Sequence, residues 1–70
     1  MTRDEHLAWC KQRAREYLDS GDLQNAMRSV MSDLGKHDDT KPDIDMMRLS
    51  LSIQLTNDRD LARRFIDELT

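Results

Sequence analysis

The sequence predicts an all-α fold of four short helices, laid out as two consecutive antiparallel helical hairpins, and three observations lead to it. Apolar residues recur at spacings of three and four along nearly the whole 70-residue chain. The breaks between these stripes hold residues that stop and restart helices: Ser20-Gly21-Asp22, the stretch from Gly35 to Asp43, and Thr56-Asn57-Asp58. Aligning the two short breaks gives a period of 36 residues, which sets Ala26 over Ala62 and Val30 over Ile66. The expected organisation is one small domain, with a hairpin over 3–34, a loop over 35–43 and a hairpin over 44–69.

Thr2-Arg3-Asp4-Glu5 matches a capping box, in which a threonine hydroxyl and a glutamate carboxylate satisfy opposing backbone donors, so the first helix should start there. Leu7, Cys10, Ala14, Tyr17 and Leu18 share one stripe, the expected inner face, while Glu5, Gln12, Arg13 and Glu16 lie opposite. Gly21 can take the left-handed conformation that closes a helix, and Asp22 can cap the next one. Leu23, Ala26, Met27, Val30, Met31 and Leu34 then give the second helix its apolar face. Across the loop the apolar signal vanishes, and Pro42 or Asp43 should open the third helix.

The third segment reads two ways, because Leu49, Leu51, Ile53 and Leu55 alternate with Ser50, Ser52 and Gln54 as a half-buried strand would. Helix is the better reading: no second strand candidate exists to pair with, and a lone strand leaves its backbone unsatisfied. As a helix it carries two apolar stripes. Ile44, Met47, Leu51 and Leu55 are expected inside, leaving Met46, Leu49 and Ile53 on the outer side, either sandwiched or free for a partner. In the fourth helix Leu61, Ala62, Phe65, Ile66 and Leu69 form the inner face, with Arg63, Arg64, Asp67 and Glu68 towards water.

Composition bounds the function. So short a chain buries a thin core, which makes help from a partner plausible. A net charge of -3 is too acidic for default binding to a phosphate backbone and too weak for a DNA mimic. One cysteine forms no internal disulfide, and with no run of about eighteen apolar residues a membrane partner is not expected. The reducing cytoplasm is the expected compartment.

Two resemblances follow from particular residues. Ala14, Tyr17, Gly21-Asp22 and Ala26 make the first hairpin weakly tetratricopeptide-like, while the second lacks the tyrosine and the glycine. The runs Leu7-Ala8-Trp9-Cys10-Lys11-Gln12-Arg13-Ala14, Tyr17-Leu18-Asp19, Gly21-Asp22-Leu23, Ser32-Asp33-Leu34, Lys36-His37 and Arg64-Phe65-Ile66 resemble a family of small helical proteins of tailed bacteriophages and prophages. That resemblance implies a viral origin and an infected bacterial host, and brings no activity or site residue with it.

Site chemistry is sparse. His6 and Cys10 lie four apart on one helix and His37 could join them, but a structural zinc site needs a fourth ligand, so neither metal nor cofactor is expected. The plainer expectation is a small core Cys10 and a solvated first-turn His6. A Cys-His nucleophile would lack an evident oxyanion donor, and enzyme activity is not expected. Asp38, Asp39, Asp43 and Asp45 lack the register of a calcium loop; they read as a solvated connector, or as an acidic patch for a basic surface. Lys11, Arg13, Arg15, Arg59, Arg63 and Arg64 are interleaved with acids and lack aromatic platforms for bases.

Trp9 sits off the inner stripe near Glu5, Arg13 and Glu16, so it is either an interface anchor or a cover folded over a flank. Candidate partner-binding residues are therefore Trp9, Arg13, Glu16, Met46, Leu49, Ile53, Asp38 and Asp39. The expected function is a non-enzymatic protein-interaction module, phage-encoded and directed at a host protein such as a defence component, acting by occlusion. The alternative is a homo-oligomeric structural or accessory phage protein; a nucleic-acid binder ranks third.

Overall fold

The computed structural model describes residues 2–69. Four α-helices, α1 (Arg3–Asp19), α2 (Leu23–Leu34), α3 (Ile44–Thr56) and α4 (Arg59–Asp67), account for most of them, and a short 3-10 turn over Asp38–Thr40 interrupts the long loop. Residues 46–55 are helical, and there is no strand among the described residues. α1 packs on α2 and α4, while α3 packs on α2 and α4, so the two hairpins close into a ring around one core.

Each N-terminus is fixed by a local cap of the kind the sequence signals. Thr2, Asp22, Asp43 and Asp58 accept hydrogen bonds from the backbone N–H of Glu5, Asn25, Met46 and Leu61 at 3.2, 3.1, 2.8 and 3.1 Å. At the first cap the Glu5 carboxylate accepts from the Thr2 hydroxyl at 3.2 Å. At Asp22, hydrogen bonds from the backbone and side chain of Asn25 hold the carboxyl below its ordinary range. The turns repeat as the 36-residue alignment anticipates: Gly21 and Asn57 both take left-handed backbone, with φ of 84° and 53°, and an aspartate cap follows each.

The C-termini are closed from a distance. Arg59 donates to the Leu18 carbonyl at the end of α1, and Thr40 to Leu34 at the end of α2. Gln24 donates to Gln54 near the end of α3, and Lys11 to Asp67 at the end of α4. Every helix thus gives its last carbonyls to a side chain from another element, which ties the hairpins together where backbone groups would otherwise be orphaned. Ion pairs of Arg15 with Asp67 (2.8 Å) and Arg63 with Asp19 (3.4 Å) add to the α1–α4 contact.

The core holds Leu7, Cys10, Ala14 and Leu18 from α1, Leu23, Ala26, Met27, Val30 and Leu34 from α2, Ile53 from α3, and Ala62, Phe65, Ile66 and Leu69 at the C-terminal end, while Met31 and Leu61, also expected inside, are only partly buried against it. Ala26, Ala62, Val30 and Ile66, paired by the internal period, are all fully buried. Three expectations are corrected. Tyr17 is exposed, because Leu18 occupies the inward position in the last turn of α1 and turns its neighbour outward. His6 is buried, because the loop after α2 folds back and sets the His37 ring 4.4 Å from it.

The third correction concerns α3. Its expected inner stripe lies outside and its expected outer stripe is largely inside: Ile53 is fully buried, Met46 is partly buried against the core, Leu49 stays exposed, and Ile44, Met47, Leu51 and Leu55 face outward. Two stripes of similar apolarity do not by themselves say which goes inside. Ser50, buried beside Ile53, explains the outcome, since a small side chain on that face permits close approach.

Candidate functional site

The outward face of α3 is the feature the core leaves unexplained. Leu55, Ile44 and Leu51 are 87%, 65% and 58% exposed, and Met47 and Leu49 are also exposed. These five are the exposed large apolar residues of the described chain apart from Tyr17. Ile44, Met47, Leu51 and Leu55 recur at helical spacing, so they form a continuous stripe. Beside it an open groove of about 580 Å³ runs between α2 and α3, floored by Met31, Pro42, Met47 and Leu51 and rimmed by Arg28 and Lys41. A smaller groove of about 320 Å³ lies on the other flank, where Met46 and Leu49 meet Leu61, Phe65 and Arg64.

A second constellation surrounds Asp33, whose side chain is almost wholly buried. Its carboxylate accepts from Arg13 Nε at 2.9 Å, Lys36 Nζ at 3.2 Å and Ser29 Oγ at 3.2 Å. Both cations also stand over the Trp9 ring, with the Arg13 guanidinium carbon 4.8 Å and Lys36 Nζ 5.1 Å from its centroid. The indole is half-buried against the core and stacks on His6 at 5.9 Å. In this geometry Trp9 covers the joint between α1, the end of α2 and the loop. Cation–π contact and packing both hold it there. Trp9→Ala is expected to lower the unfolding free energy by about 1–3 kcal/mol, less than a fully buried tryptophan would cost, readable in chemical denaturation.

His6, Cys10 and His37 do come together. His6 Nε2 lies 3.6 Å from Cys10 Sγ, and His37 tilts against the other side of the His6 ring. Burial first, and the field of Asp33 second, push the Cys10 thiol up, which makes it a poor nucleophile at neutral pH. Among the described residues no three His, Cys, Asp or Glu side chains are arranged to hold a metal ion.

The remaining candidates are dispersed. Glu16 is exposed on α1 and accepts from Gln12 at 3.4 Å. Asp38 and Asp39 are exposed on the 3-10 turn. Met46 and Leu49 share the smaller groove, and Ile53 lies in the core below them.

No family model, characterised protein or solved structure matches the chain. The likeness to small phage proteins therefore stands on the sequence runs that suggest it. No helix among the described residues is long and apolar enough to cross a membrane.

The exposed apolar residues that sequence reasoning misses are those it places inside, Ile44, Met47, Leu51 and Leu55. The buried Asp33 leaves a readable trace: it continues the Leu23, Ala26, Val30 series into a position where a charge is unexpected.

Proposed function

We propose that the chain is a non-enzymatic protein-interaction module that seats a partner on the outward face of α3 and acts by occlusion. The observation that carries this reading is the exposed stripe from Ile44 to Leu55, on a helix whose opposite face is in the core. The five exposed side chains leave the equivalent of about three whole apolar side chains in water, worth on the order of 5–9 kcal/mol if fully covered. That offsets much of the roughly 4–15 kcal/mol of lost freedom that association must overcome, and the partner's own buried apolar surface has to supply the surplus. The resemblance to phage proteins gives the partner a direction, a protein of the bacterial host.

Self-association through the same stripe is the second reading, since its spacing of 44, 47, 51 and 55 is nearly the same from either end and suits an antiparallel copy. The cations flanking the stripe oppose it, because a two-fold axis would bring like charges together. The test is sedimentation of the purified chain at micromolar concentration together with capture from bacterial extract. A monomer is expected, and Leu51→Glu is expected to keep the melting temperature while losing a partner that the parent chain retains. A closed dimer that Leu51→Glu dissolves contradicts the proposal.

A further inference from the structure

We infer that the partner seated on α3 presents an acidic amphipathic helix, with apolar residues entering the α2–α3 groove and carboxylates meeting Arg28, Lys41 and Arg48. This rests on the reading of α3 as the contact face and adds the chemistry of what covers it.

The distribution of cations carries the inference. Of the eleven Lys and Arg residues, Arg3, Lys11, Arg13, Arg15, Lys36, Arg59 and Arg63 each engage a carboxylate or a backbone carbonyl. Arg28, Lys41, Arg48 and Arg64 are exposed and form no ion pair or hydrogen bond among the described residues, and only Arg28 lies in the field of a carboxylate, that of Asp22. All four border α3. Arg28 and Lys41 rim the larger groove and Arg64 lines the smaller one. Arg48 follows Met47 on α3 and so falls on the opposite shoulder of the stripe. An apolar strip thus runs between exposed positive charges outside any ion pair, the complement of a helix with a greasy face and acidic shoulders.

Shape and charge discriminate among occupants. The α2–α3 groove is concave and α3 runs 13 residues, about 20 Å, which fits three turns of a helix laid alongside. A planar lipid surface would meet the convex side of α3 and leave the floor at Met31 and Pro42 uncovered. A second copy would place Arg48 and its neighbours against one another.

The probes are two synthetic helical peptides of about 15 residues, long enough to span α3, with identical leucine stripes and flanks of glutamate in one and lysine in the other. Anisotropy and backbone amide shifts on the intact chain read the outcome. The glutamate peptide should bind about tenfold more tightly at low salt, the size expected from three exposed ion pairs, and the preference should shrink as salt rises. Its shifts should fall on Met31, Met47 and Leu51. A variant carrying both Arg28→Glu and Lys41→Glu should reverse the preference, and both sites are exposed, so its fold should survive.

Equal affinity for the two peptides at those residues would overturn the acidic partner while leaving α3 as the contact face. Neither peptide binding, with Leu51→Glu also failing to release any partner, would overturn both. Binding to anionic phosphatidylglycerol vesicles in place of either peptide would overturn the helix in favour of a membrane.

Discussion

Ala26→Glu is expected to abolish the folded state at room temperature. Ala26 is fully buried in the α1–α2 hairpin, near the equally buried Ala14 stripe that lets the two helices approach closely. A carboxylate there has no cation within the core to meet, and an uncompensated buried charge costs roughly 3–5 kcal/mol. A chain of this size holds only about 3–5 kcal/mol in its core, so the substitution consumes all of it. Far-UV circular dichroism should show the helical signal and the cooperative melt lost together; a retained sharp transition would mean that α1 and α2 do not pack through Ala26.

The second large effect is a contrast between two residues of one helix. Ile53→Ala should lower the unfolding free energy by about 2–5 kcal/mol, since it empties a fully enclosed site. Leu55→Ala, two residues on, should change it by less than about 0.5 kcal/mol because that side chain stands almost wholly in water. The stripe containing Leu55 is the one that periodicity alone would put inside, so equal losses at the two positions, or the reverse order, would reject the orientation of α3. Denaturant midpoints with unchanged slope would give the comparison directly.

The limits of sequence reading here are physical. Helix ends were legible because capping is a local bargain between a side chain and the nearest free N–H groups: Thr2, Asp22, Asp43 and Asp58 each do what their type and place suggest. The buried face of α2 was legible because it has one apolar side. α3 has two, and the choice between them depends on how closely α2 can approach at Ser50, a tertiary matter with no trace in spacing. The surroundings of His6 and Trp9 are illegible in the sequence for a related reason, since they are built by Lys36 and His37, brought back by the loop. Nor does a list of basic residues reveal which are already engaged. Arg13 and Arg48 look alike in sequence, yet the first is spent on Asp33 and the second faces solvent beside an apolar stripe.

The central claim is that a folded single copy turns Leu51 and Leu55 to water and Ile53 to its core. Thiol-labelling rates test it most directly, on three variants carrying Leu51→Cys, Leu55→Cys or Ile53→Cys in a Cys10→Ser background. Labelling at positions 51 and 55 as fast as in an unfolded peptide, with position 53 protected until the chain unfolds, is the predicted result. Fast labelling at 53 with protection at 51 and 55 would contradict it.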